Sequence, residues 1–471
     1  SQFGELLQAD LGGNYVVQAN YQYAVGTRRL EKSWVTREGA DGYDYDAAYS
    51  YDDAGNVKSI ANKPTATGVA DDVQCFDYDG LRRLTEAWTP ESGDCAAAPT
   101  VAGLGGAAEY WTSYRFDKVG NRTSLTQHGT TDSVSTYTYP AAGSAKAHAV
   151  SSVETTTGGT SATNTYAYDA AGNMTTRAVA GQPGQTLAWD AEGELASVSE
   201  DGKSSEYTYT ADGDRMVRKQ DGKTTLYLPG GQEVTVDDET SVVTAQRYYS
   251  FNGETVAVRF SGGTSGTTTI VADHHGTGQV QVAQGSNTVH RRYMDPYGGQ
   301  RGAVPTWTGD HGFLDMPTDA TGLVQVGARY YDPGLGKFIS PDPVMDVTDP
   351  QQWAAYSYAN SSPVTWSDPT GMWLGGLVDK VKSAGKKAYG AIKRATKTAV
   401  AAFTSVARKV YSVVRQSVRY VARAVVSTAR RVYTSVRSTS RQVYSSVRSY
   451  AVSTGQALRR GYESSKRLAR R

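Results

Sequence analysis

The chain has 471 residues, 50 of them glycine and 32 tyrosine, and a formal net charge of +1. The near-neutral total hides a split: residues 373–471 hold 23 of the 48 basic side chains but only Asp379 and Glu463 among the 47 acidic ones. A balance of −20 in residues 1–372 against +21 in the remainder excludes one uniform globule and indicates an acidic body with a basic tail.

Two cysteines, Cys75 and Cys95, permit at most one bridge, which excludes a disulfide-built scaffold. No run of 18 apolar residues offers a spanning helix. The chain opens at Ser1 without a basic-then-apolar leader, the expectation for a fragment or a processed product.

From the N-terminus onward an aromatic–Asp pair recurs, followed by a glycine and often an asparagine. Examples are Tyr51-Asp52-Asp53-Ala54-Gly55-Asn56, Tyr78-Asp79-Gly80, Phe116-Asp117-Lys118-Val119-Gly120-Asn121 and Tyr168-Asp169-Ala170-Ala171-Gly172-Asn173. Trp189-Asp190 with Gly193, and Tyr209 with Gly213, continue the series at a spacing of about 20 residues, the mark of a repeat architecture. Stretches such as Thr165-Tyr166-Ala167-Tyr168 alternate as strands do. Asp favours the turn through its side chain, and Gly supplies the positive φ. Each unit therefore predicts a β-hairpin, too weak alone and stable only beside its neighbours.

These units resemble the YD repeats of Rhs-family proteins. The resemblance sharpens downstream. Asp273-His274-His275-Gly276-Thr277 and Tyr293-Met294-Asp295-Pro296-Tyr297-Gly298 are similar to family elements, as is Gly327-Ala328-Arg329-Tyr330-Tyr331-Asp332-Pro333 running into Gly336-Lys337-Phe338-Ile339-Ser340-Pro341-Asp342-Pro343. Tyr356-Ser357-Tyr358-Ala359-Asn360 and Asp368-Pro369-Thr370-Gly371 complete the core element. The resemblance, of the polymorphic-toxin or Tc-toxin C-subunit type, implies a mainly β fold whose hairpins spiral into a hollow shell. It divides the chain into a YD-repeat shell segment over 1–269, a repeat-associated core over 270–372, and a variable C-terminal region over 373–471.

The same resemblance implies an aspartyl self-cleavage site with Asp342 and Asp368 as catalytic acids and Lys337 in support. The bond cut would join Met372 to Trp373. Two close carboxyls share one proton, so that one activates water while the other protonates the carbonyl. Met345, Met372 and Lys337 depart from the family pattern, and none removes a carboxylate. Asp332, Asp346 and Asp349 are further acids nearby.

Asp273-His274-His275 suggests a metal cluster at first sight, but adjacent histidines in a strand face opposite ways and no second ligand group has metal-like spacing. No metal, cofactor, phosphate-loop or dinucleotide pattern is read from the sequence.

Beyond Pro369 there is no proline, and none of residues 392–454 is glycine. Valines recur every eleven residues, at 410, 421, 432 and 443, with arginines at 408, 419, 430 and 441. That repeat, about 3.67 residues per turn, predicts a basic amphipathic helix, partly disordered in water. Its partners would be an anionic membrane or, less favoured, nucleic acid through its phosphates. The implied function is a secreted or cell-surface shell that encloses its own basic tail, completed by further chain or a partner, and delivers it to a target cell. The alternative is a surface protein whose repeats bind carbohydrate or other cells.

Overall fold

The computed structural model describes residues 1–12, 16–261, 266–344 and 349–372. Met345, Asp346, Trp373 and the whole predicted helix of the tail lie outside the described residues. One compact unit, Ser1–Tyr209 with Gly213–Leu374, carries the architecture.

Twenty-four strands, from Gln8–Leu11 to Val289–Arg291, form a single sheet. Every strand pairs antiparallel with the next in sequence, a continuous meander. Among the described residues there is no α-helix. The expected boundary at 269/270 falls inside this sheet, because the strands Thr267–Ala272, Gly278–Ala283 and Val289–Arg291 continue the same ladder.

The aromatic–Asp units make the turns. In the first, Gly55 N–H donates to Asp52 O (2.9 Å) and Asn56 N–H to Asp52 Oδ1 (2.8 Å), while the Asn56 amide reaches Asp52 Oδ2 (2.7 Å). Asp117/Asn121 and Asp169/Asn173 repeat the geometry, with Gly55, Gly120 and Gly172 all at φ near +90°. The unit at Tyr78 differs. Arg82, not Gly80, takes the left-handed position (φ 64°), three residues after Asp79 as Gly55 is after Asp52. The register shifts just before each aromatic, at Ser50/Tyr51, Asp77/Tyr78, Arg115/Phe116 and Ala167/Tyr168. Each shift is a β-bulge that turns the ring onto the preceding unit. Several aromatics of the meander donate to a backbone carbonyl of an earlier strand. Tyr51 donates to Leu30 O, Tyr78 to Val57 O, Tyr139 to Arg122 O, Trp189 to Met174 O and Tyr209 to Leu195 O, all at 2.7–2.9 Å. In every case the acceptor is the first residue of an earlier strand.

One face of the sheet is apolar. In the strand Tyr43–Tyr51, Tyr45, Ala47 and Tyr49 are buried while Ala48 and Ser50 are exposed. The segment after the sheet packs on that face through two clusters. Phe313, Val324, Val326, Tyr331, Phe338 and Tyr358 join Val17, Val35, Tyr45 and Tyr114; Leu323, Tyr330, Leu335 and Ile339 join Tyr137, Tyr166, Met174 and Leu187. Buried ion pairs key the two layers together: Arg177 to Asp332 (2.7 Å), Arg215 to Asp319 (2.8 Å) and Arg301 to Asp72 (2.7 Å). Removing one member of such a pair costs about 3–5 kcal/mol, since the other charge is left buried. Cys75 and Cys95 form a disulfide beside Trp88, closing the connection that follows the strand Leu84–Trp88.

Candidate functional site

Three short stretches of the packed segment converge. The strand Arg329–Asp332 is buried along its length and pairs with Lys337–Phe338. The Asp342 amide then donates to Ala355 O (2.9 Å), which fixes the Pro341-Asp342-Pro343 stretch. The turn after Asp368 lies against the tight bend at Val326-Gly327-Ala328, where Ala328 N–H donates to Thr370 O (2.9 Å). Glycine is required on both sides of that contact. Gly327 and Gly371 have φ of +54° and +62°, and a Cβ on Gly327 would lie 2.1 Å from Thr370 O.

At the centre is Arg329, which the sequence reading quoted within its motif but did not assign to the site. Its Nη2 donates to Asp342 Oδ2 (2.9 Å) and to Asp368 Oδ2 (3.0 Å), so one guanidinium nitrogen holds both carboxylates. Nε donates to Gly371 O (2.5 Å), Nη1 to Ala355 O (3.0 Å), and the guanidinium lies 3.5 Å over the Phe338 ring. The planar fork allows this simultaneous reach. Burial lowers the affinity of Arg329 for its proton, and the two carboxylates oppose that shift.

Burial pushes the Asp368 carboxyl above the usual carboxylate range, and the Asp342 charge adds to this; Arg329, Thr370 and the Met372 amide pull it back. The other oxygen of Asp368 faces the chain that follows. Met372 N–H donates to Asp368 Oδ1 (3.1 Å) and to Thr370 Oγ1 (3.2 Å), and the Thr370 hydroxyl reaches both Asp368 Oδ1 (3.0 Å) and Met372 O (3.1 Å). A carboxyl whose affinity for a proton is raised, a second carboxylate beside it and a peptide carbonyl within one hydroxyl's length form a set suited to acid–base hydrolysis.

Lys337 is buried elsewhere. Its ammonium lies 5.7 Å from the Tyr139 ring, and burial together with the Arg122 charge pulls its pKa down to about 7. Asp332 is held by Arg177, and Asp349 caps the short turn at Pro350–Trp353 through Gln351 N–H (3.0 Å).

The histidine pair departs from the strand expectation. Residues 273–276 form an Asp-led turn with the same backbone bonds, though Ala272 precedes the Asp; the two rings lie 3.9 Å apart and both Nε2 atoms meet Val364 O at 2.8 Å. Glu233, Asp310 and His311 bring three potential ligand atoms within 4.8 Å of one another. Both His311 nitrogens face carboxylates, Glu233 at 3.4 Å and Asp315 at 3.2 Å. Burial disfavours the charged ring, yet those hydrogen bonds raise its pKa to about 9, and Arg218 neutralises Asp310. With His311 set between Glu233 and Asp315, and Arg218 on Asp310, the cluster is arranged as an ion-pair clip.

Comparison with known proteins supports the fold. Toxin subunit YenC1 of Yersinia entomophaga is 26% identical over 82% of this chain and 43% of its own length. The tRNA(Glu)-specific nuclease WapA of Bacillus subtilis subsp. natto is 28% identical over 46% of this chain and 10% of its own. The chain thus spans under half the length of these relatives. The crystal structure of TcdB2-TccC3 superposes with a TM-score of 0.57 at 21% identity, over 79% of this chain and 19% of that one. The Teneurin YD-shell family matches residues 102–364, more than half of the chain and most of the meander with its packed segment. The aromatic–Asp meander belongs to an Rhs/YD-repeat protein, and the chain is a member of the Teneurin YD-shell family.

Proposed function

We propose that this chain is part of a toxin shell that holds residues 373–471 as a passenger and frees them by hydrolysing the Met372–Trp373 bond. The observation that carries this reading is the pair Asp342 and Asp368 on one nitrogen of Arg329, with the Met372 amide bonded to Asp368. Asp342 takes a proton from the attacking water and Asp368 supplies one to the carbonyl. The relatives, a toxin subunit and a tRNA-specific nuclease, favour a toxic passenger. The passenger's +21 charge suits retention by a body of −20 and, after release to a target cell, attraction to an anionic membrane. A further chain or segment completes the shell, and the protein acts outside the cell that makes it.

Intact-mass and N-terminal analysis of the purified chain tests the reading. A fragment beginning at Trp373, absent from Asp368→Asn, is expected. A wild-type chain that stays intact under native conditions would refute it.

A further inference from the structure

We propose that the Thr370 hydroxyl is a catalytic donor to the Met372 carbonyl, relaying a proton from Asp368 as the Met372–Trp373 bond is hydrolysed. The inference rests on the self-cleavage reading and adds to it a third reacting side chain.

The argument follows from what one hydroxyl can do. It carries a single proton and two lone pairs. Met372 N–H occupies one lone pair of Thr370 Oγ1 at 3.2 Å. Two acceptors compete for the proton, Asp368 Oδ1 at 3.0 Å and Met372 O at 3.1 Å. When Asp368 is ionised, Thr370 donates to the carboxylate and the carbonyl loses this donor. When Asp368 is protonated, its O–H donates into the remaining lone pair of Thr370, and the threonine proton turns to Met372 O. Protonation of Asp368 and polarisation of the carbonyl are thereby one event. Burial pushes Asp368 toward the protonated acid, the form the relay uses, while Arg329 opposes it. Asp368 Oδ2 is meanwhile held by Arg329, which leaves Oδ1 as the oxygen that faces the carbonyl.

The step balances. Water attacks the Met372 carbonyl carbon and gives a proton to Asp342. The Asp368 proton passes to Thr370 Oγ1 as the threonine proton passes to Met372 O, leaving a neutral diol. On collapse the C–N bond to Trp373 breaks, Asp342 protonates the leaving amine, and a diol proton returns through Thr370 to Asp368. The products are a Met372 carboxyl and a Trp373 amine, with both aspartates restored.

The test is a pulse–chase of the full 471-residue chain in cell-free synthesis, comparing wild type with Thr370→Ser, Thr370→Val, Thr370→Ala and Asp368→Asn. Cleavage at Met372 is scored by fragment mass, and folding by circular dichroism. Loss of a donor to a developing oxyanion slows such reactions about 100-fold or more, so Val and Ala should fall by that factor while Ser stays within about tenfold of wild type. If Val alone misfolds, the Ala and Ser variants decide. Wild-type rates in the Val or Ala variant, with Asp368→Asn inactive, overturn the relay and leave the proteolytic reading standing. A folded Ser variant as slow as Ala overturns it likewise. A wild-type chain that is never cut at Met372 overturns both.

Discussion

Replacing Arg329 with methionine should expose how the site is neutralised. The guanidinium makes four hydrogen bonds, two to the carboxylates of Asp342 and Asp368 and two to the carbonyls of Gly371 and Ala355. Methionine preserves the contact with Phe338 and removes all four. The carbonyl bonds are worth about 1 kcal/mol each at any pH, so about 2 kcal/mol of the loss is constant. The rest depends on charge. With no cation present, the buried Asp368 carboxyl in the folded variant titrates further above its unfolded value near 4, and holding it ionised beside Asp342 is costly. That deficit is full above the raised folded pKa and vanishes below the unfolded one. The total penalty should therefore be about 3–5 kcal/mol near pH 8, shrinking toward about 2 kcal/mol near pH 4. Urea unfolding of the full chain, followed by tryptophan fluorescence at both pH values, measures it. A penalty that is the same at pH 4 and pH 8 would refute the assignment of Arg329 as the neutralising group.

Three further outcomes are expected. The His311 pKa, raised from 6.5 to about 9, contributes stability that is complete below about 6.5 and lost as pH climbs through about 9, so thermal unfolding of wild type should fall across that window and the His311→Gln variant should lose most of the slope. Gly327→Ala, whose Cβ would lie 2.1 Å from Thr370 O, should slow the appearance of the Trp373 fragment at least tenfold while circular dichroism stays native, because the bend and not the sheet is disturbed. Cys95→Ser, which opens a bridge of sequence separation 20, should lower unfolding stability by about 3 kcal/mol and leave the cleavage point unchanged in mass spectra.

The meander was legible because its rules are local. Asp, Gly and Asn at fixed offsets define each turn, and alternation defines the strands between them. Arg82 shows the limit of that reading: the turn at Asp79 needs a left-handed residue three positions on, and the glycine lies one position after Asp79 instead. His274 and His275 were assigned opposite faces by strand logic that does not hold within a turn. Asp342 and Asp368 were singled out through family resemblance, whereas Arg329, which joins them, was not, since nothing local links residues 329, 342 and 368. One signal was available. In the strand Lys337–Phe338 neighbouring side chains face opposite ways, so a ring at 338 beneath the guanidinium directs Lys337 to the other side.

The bond from an aromatic to the first residue of an earlier strand, made at five points of the meander, has a consequence for how such chains grow. Tyr51, Tyr78, Tyr139, Trp189 and Tyr209 each need only a carbonyl 14–21 residues upstream. No unit needs to know how many others exist. A hairpin inserted or deleted between two units meets the same docking point it would have met elsewhere, as in other quasi-one-dimensional assemblies. The constraint on length then comes from the far end, where Arg291 must still reach Asp44 and Arg37 must still reach the carbonyl of Asn287. Those two contacts, rather than anything held within a single unit, limit how many hairpins can lie between them, and the repeats behave as interchangeable staves.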